Sequence, residues 1–141
     1  MWQRGDRGYR RSGDRLRASD PYVIDQVAAT AFYQAVLDCP PTLDVLGMTE
    51  FALGTGVVLG LMPETGIRSL LGPALPDPAV GRGIPRAELY LVVDDAAAYH
   101  ARARAAGAAE LSAGPAVVGD DVAYCLDPDG HAVAFAVRPS R

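Results

Sequence analysis

The sequence predicts one domain of mixed α and β structure, built from two similar halves. Each half is a strand, a helix and then a run of strands. Three observations carry this reading. The chain of 141 residues fits a single domain and is long enough to bury about two-thirds of its unfolded surface in a core. A strand-like run leading into apolar residues at helical spacing occurs twice, once over residues 22–37 and again over 88–106. The stretch from Val23 to Ala29 also matches the stretch from Val92 to Ala98 at an offset of about 69, and each ends a strand with an acid that opens a helix. A period this long is a duplicated module, not a solenoid repeat.

In the first half, Tyr22–Ile24 is a short strand and Val27–Leu37 a helix, with apolar residues at Val27, Ala31 and Ala35 and at Ala28, Phe32 and Val36. Pro40 and Pro41 forbid its continuation. Thr42–Leu46 follows as an edge strand, then Thr49–Leu53 and Val57–Met62, closed into a hairpin by Gly54-Thr55-Gly56. The glycines here lack the spacing of a dinucleotide loop, and no helix follows them. Residues 63–85, rich in Gly and Pro, read as a linker or flap with one helical turn at Ile67–Leu71.

In the second half, Glu88–Val93 is a strand. Asp94 or Asp95 caps a helix over Ala96–Ala106, and Gly107 stops it. A weak strand lies near Ala109–Ser112. Asp121–Leu126 and Ala132–Val137 flank a tight turn at Asp127-Pro128-Asp129-Gly130.

Charge is unevenly placed. The first 17 residues carry six arginines against Asp6 and Asp14, a net +4, while the rest has seven arginines against fifteen acids, a net −8. An arginine-rich arm is a feature of nucleic-acid binders, but an acidic body and little aromatic interleaving argue against that class. Residues 1–19 are therefore expected to be a disordered tail and 20–138 the domain, with modules at about 20–62 and 86–138. No apolar run approaches the roughly 20 residues of a membrane span, and no apolar segment follows the arginines as a secretory signal requires. Cys39 and Cys125 are expected as reduced thiols in a cytoplasmic protein.

Phe32-Tyr33 followed by Val36-Leu37, the strand over 87–95, the helix ending Ala105-Ala106-Gly107-Ala108, and Tyr124 through His131 occur in an order and spacing that resemble the vicinal oxygen chelate superfamily. That group holds glyoxalase I, extradiol dioxygenases, fosfomycin-resistance enzymes and bleomycin-resistance proteins. The resemblance covers roughly residues 20–138. It implies an α+β fold of two βαβββ modules whose curved mixed sheets surround a cavity, often completed by a second subunit, and so a homodimer.

It also implies a test for metal. Members of this group that are enzymes hold one divalent ion with His and Glu side chains, because the ion must polarise or chelate substrate oxygens. Carried over position by position, the four ligand sites fall on Ala18, Gly60, Glu88 and Ala134. Only Glu88 has a donor atom, and a one-residue shift at the first site gives Arg17 or Ser19. No metal is therefore expected at the usual site, and no other cofactor. His100 is expected on the solvent face of its helix, and His131 beside its turn.

Strand alternation predicts the side chains sharing a face with these positions: Val58 and Met62 with Gly60, Tyr90 and Val92 with Glu88, Ala132 and Ala136 with Ala134. Tyr124 stands where similar extradiol dioxygenases carry an active-site tyrosine. The expected ligand-binding set is Val58, Gly60, Met62, Glu88, Tyr90, Tyr124 and Ala134, which suits a flat or apolar organic molecule. Three functions follow: a binder of such a molecule; an enzyme of lyase or dioxygenase type using a displaced metal or acid–base chemistry at Glu88 and Tyr124; or a structural protein with the space filled. A buried, perturbed Glu88 favours the second reading.

Overall fold

The computed structural model describes residues 16–111 and 121–138. The first module runs β1 (Arg17–Ser19), β2 (Tyr22–Val23), α1 (Gln26–Leu37), β3 (Leu43–Val45), β4 (Met48–Gly54) and β5 (Val57–Pro63). After α2 (Glu64–Leu71) and two short 3₁₀ turns, the second module runs β6 (Glu88–Val92), α3 (Ala96–Ala105), β7 (Ala109–Glu110), β8 (Asp121–Leu126) and β9 (Ala132–Val137).

The duplication read from the sequence is a duplication of topology. β1 and β2 run parallel to β5, which pairs antiparallel with β4, and β4 pairs antiparallel with β3. β6 likewise runs parallel to β9, followed by β8 and β7 in antiparallel order. Each sheet is mixed and neither closes, so the fold is α+β as expected. In both modules the helix lies in the connection between the parallel partners, as a parallel crossover requires.

The two helices start alike for the same reason. The Asp25 carboxylate accepts from the Ala28 N–H at 3.0 Å, and the Asp95 carboxylate accepts from the Ala98 N–H at 3.0 Å. Each satisfies an N-terminal amide that the helix leaves without a partner. Asp95, not Asp94, is therefore the second cap.

Four boundaries differ from expectation. Residues 17–19, assigned to the tail, form β1, because the exposed edge of β5 offers backbone groups that a parallel strand satisfies; residues 1–15 lie outside the described residues. The single helical turn expected at Ile67–Leu71 is a two-turn helix starting at Glu64, whose apolar anchor Ile67 is buried. Pro63 precedes it, where its missing N–H costs nothing. The edge strand expected over Thr42–Leu46 is paired only over Leu43–Val45. The strand expected over Ala109–Ser112 is paired at Ala109–Glu110, and residues 112–120 lie outside the described residues.

One core serves both modules. Val23, Phe51, Leu59 and Leu61 from the first sheet meet Cys125, Val133 and Phe135 from the second, with Ala29, Phe32, Tyr33 and Val36 of α1 and Ala96 and Ala103 of α3 between them. All of these strand residues lie on the helix side of their sheets. Phe32 and Tyr33 pack edge-on, centroids 5.0 Å apart, and Tyr99 lies over Phe135 at 5.7 Å.

The 127–131 turn clamps the halves together. The Tyr33 hydroxyl donates to Asp127 Oδ2 at 2.6 Å, with both residues buried. The other oxygen, Oδ1, accepts from the Asp129 and His131 amides at 2.9 Å each. Asp129 in turn accepts from the Ile24 amide at 2.7 Å, and His131 Nε2 lies 2.8 Å from the Tyr22 carbonyl. A carbonyl only accepts, so Nε2 carries the proton there. Gly130 turns the chain at φ 84°, and a side chain there would also press on the Gly83 backbone. At the other end of the helix pair, Arg102 of α3 donates to the Val36 carbonyl in the last turn of α1 at 3.0 Å.

Candidate functional site

Because the shared core lies on the helix side of both sheets, each sheet presents a second, distal face. On the first sheet the register sets Ala18 against Val58, Glu50 against Gly60, and Tyr22 against Met62. On the second it sets Glu88 against Ala132, Tyr90 against Ala134, Tyr124 against Ala134, and Val92 against Ala136. The neighbours Leu59, Leu61, Leu89, Leu91, Val133 and Phe135 all point into the core. The seven residues singled out from the sequence thus all stand at distal-face positions, three on the first sheet and four on the second.

Their surroundings differ. Glu88 and Val92 are exposed, Met62, Tyr90 and Tyr124 are half-buried, and Val58, Gly60 and Ala134 are buried. Two rows across the strands stand out. Tyr90, Ala134 and Tyr124 occupy neighbouring strands in register, so a methyl group separates two phenol side chains about 10 Å apart, twice the inter-strand spacing. In the equivalent place on the first sheet the row is Asp20, Gly60 and Glu50. An Asp20 carboxylate oxygen lies directly over Gly60, where any Cβ would meet it, with the Met48 sulfur 3.3 Å from the same point. The space that glycine leaves at position 60 is therefore taken by a carboxylate.

Asp20 and Glu50 are not among the residues expected from the sequence, since neither falls on one of the four ligand positions. The signal was available: Asp20 alternates with Ala18, and Glu50 falls on the distal face of its strand.

The same geometry tests the fit of a divalent ion. Of the four ligand positions only Glu88 carries a donor, and Asp20 adds one carboxylate beside Gly60. Among the described residues no group of three or more His, Cys, Asp or Glu side chains converges. These residues do not fit an ion held by several imidazole and carboxylate ligands.

The histidines have structural partners. His100 is half-buried, its Nε2 3.3 Å from the Tyr124 carbonyl, rather than solvent-facing as expected, because α3 lies against β8. Two surface clefts, of about 310 Å³ beside Val27, Val45 and Leu46 and about 500 Å³ beside Arg68 and Leu75, contain none of the seven residues. Cys39 and Cys125 are both free. Burial of Cys125 and the negative charge of Asp127 push its thiol up to about 11. Among the described residues, no helix is long and apolar enough to cross a membrane.

A family model described as a glyoxalase-like domain matches residues 20–136. The chain belongs to this glyoxalase-like family. A glyoxalase-related enzyme from Fulvimarina pelagi shares its fold with a TM-score of 0.71 at 23% identity, covering 89% of this chain and 88% of that one. A glyoxalase/bleomycin resistance protein/dioxygenase family enzyme from Burkholderia phytofirmans PsJN does so with a TM-score of 0.70 at 19% identity, covering 89% and 99%. A glyoxalase/bleomycin resistance protein from Catenulispora acidiphila does so with a TM-score of 0.63 at 23% identity, covering 89% and 99%. The fold and family of this glyoxalase-like chain are thus those of the vicinal oxygen chelate superfamily, as the sequence motifs imply. A search of curated proteins gives no significant match.

Proposed function

We propose that this glyoxalase-like protein binds a small apolar or aromatic molecule on its distal sheet faces, without a divalent metal at the superfamily's usual positions. The observation that carries the proposal is the tyrosine–alanine–tyrosine row of the second sheet. Two half-buried phenols separated by one methyl group make a slot for a flat molecule, and apolar side chains with a few polar anchors are what such sites need. Val58 and Met62 extend the same character on the first sheet.

The enzyme reading needs an acid held away from water so that its proton affinity suits catalysis. Glu88 is exposed and its carboxylate forms no hydrogen bond among the described residues, which favours binding over acid–base catalysis through Glu88 and Tyr124. The proposal includes a cytoplasmic location and a homodimer in which a second copy completes the site.

Native mass spectrometry of the purified protein, with metal analysis on the same sample, tests the ligand, metal and dimer parts together. The expected result is a dimer that carries or takes up an organic molecule and lacks stoichiometric transition metal. A tightly bound metal at one per chain, lost on Glu88→Ala, would overturn it.

A further inference from the structure

We propose that residues 64–82 form a hinged strap, latched by the Glu64–Arg82 ion pair, that opens as one unit while both modules stay folded. The opening does not depend on what the distal faces bind. The strap runs through α2 and the 3₁₀ turns Gly72–Ala74 and Pro78–Gly81, between the end of β5 and the start of β6.

Little apolar packing holds it down. Across residues 64–82 only Glu64 and Ile67 are buried, while Leu70, Leu71 and Val80 stay exposed, Val80 at 82%. Its backbone hydrogen bonds are local. The amides of Gly72, Leu75, Val80 and Arg82 donate to the carbonyls of Arg68, Gly72, Asp77 and Ala79, and the Ala79 amide donates to the Asp77 carboxylate. A segment with few buried apolar contacts opens at a cost well below that of global unfolding.

The ion pair is what closes the loop. Arg82 Nε donates to Glu64 Oε1 at 3.0 Å and Arg82 Nη2 donates to Oε2 at 2.8 Å, a two-pronged grip on the carboxylate. The Glu64 side chain is 8% exposed and that of Arg82 48%. The carboxylate is therefore the buried partner, and Arg82 is the bolt on the solvent side. Inside the loop Arg68 and Asp77 approach to 3.4 Å, but this pair is open to solvent and adds little. Taking the cation away from a buried carboxylate is costly, whereas a neutral side chain in its place leaves no charge to bury. Beyond the latch, Gly83 turns the chain at φ 77° and residues 81–88 are all exposed, which supplies the pivot. The chain enters the strap from Met62 and leaves it toward Glu88, so opening slackens the connection between two distal-face positions, one on each sheet.

Hydrogen–deuterium exchange of the full chain at neutral pH, read by mass spectrometry, tests the strap. In the wild type the protected amides of residues 68–82 are expected to exchange together, at least about tenfold faster than those of β4 and β9. Arg82→Gln strands the Glu64 charge and is expected to speed the strap about tenfold further, with β9 unchanged. The double variant Glu64→Gln/Arg82→Gln is expected to recover most of the lost protection. Arg86→Gln, which removes the same charge from an exposed position outside the loop, is expected to change nothing. Strap amides as protected as those of β9 would overturn the proposal, as would an Arg82→Gln strap within about twofold of wild type. An Arg82→Gln effect shared equally by β9 would overturn it too, since the pair then holds the whole fold. Equal loss in the single and double variants would overturn the charge latch by giving Arg82 a packing role instead.

Discussion

Replacing Tyr33 with phenylalanine removes one hydroxyl and leaves the ring packed against Phe32. The hydroxyl donates at 2.6 Å to Asp127 Oδ2, and both residues are at most 4% exposed. Without it, Oδ1 keeps its two backbone amides and Oδ2 is left buried with no donor. A hydrogen bond to a charged group contributes about 1.5–3 kcal/mol, and an unsatisfied buried acceptor keeps its desolvation cost. The expected loss is therefore about 2–3 kcal/mol. With a denaturant slope of about 2 kcal/mol per molar in urea, the unfolding midpoint falls by about 1 M. Equilibrium urea unfolding followed by circular dichroism measures this at neutral pH.

The pH dependence gives a second check. Burial, together with the charge and hydrogen bond of Asp127, holds the Tyr33 phenol well above its ordinary value of 10.0. The folded state then keeps a proton that the unfolded state releases. This contribution is full below about pH 10 and is lost as pH rises from there through the folded value. The difference between wild type and Tyr33→Phe should therefore shrink above pH 10. A midpoint shift under about 0.25 M at pH 7, or a difference that grows with alkalinity, would refute the reasoning.

Three further outcomes are expected. Phe135→Ala empties a fully buried site against Tyr99 and should cost about 3–5 kcal/mol in the same unfolding assay; a loss under 1.5 kcal/mol would mean that the two halves do not share a core. Gln26 bonds the Val45 carbonyl at 2.7 Å, Thr49 Oγ1 at 2.9 Å and the Gly47 amide at 3.0 Å, so Gln26→Ala should cost about 1–2 kcal/mol and speed hydrogen exchange at Gly47. With its thiol pushed up to about 11 and fully buried, Cys125 should react with Ellman's reagent at pH 8 only on unfolding, while half-buried Cys39 reacts in the folded protein; a Cys39→Ser variant that still reacts rapidly when folded would contradict this.

The elements were legible wherever local rules decide them. Asp25 and Asp95 announce helix starts, Pro40 and Pro41 a helix stop, and the 127–130 turn a hairpin, because capping and turn geometry depend on a few adjacent residues. The faces of β5, β6, β8 and β9 were legible because side chains alternate with a period of two, so a single anchor position orients a whole strand. β1 was hidden, since three exposed residues beside an arginine-rich segment carry no pattern, and only the unpaired edge of β5 makes them a strand. His100 was misplaced because the helix it sits on is rich in alanine and shows no clear apolar stripe.

By itself, then, the sequence determined the duplicated modules, the family motifs and the lack of donors at three of the four ligand positions. Those are properties of residue identity and spacing along the chain. Only the tertiary structure decided that Asp127 is a buried clamp partner of Tyr33, 94 residues away, and that the gap at Gly60 holds the carboxylate of Asp20. Both facts come from close approach in space between residues distant in sequence, and what occupies a space depends on which side chains the fold brings to it.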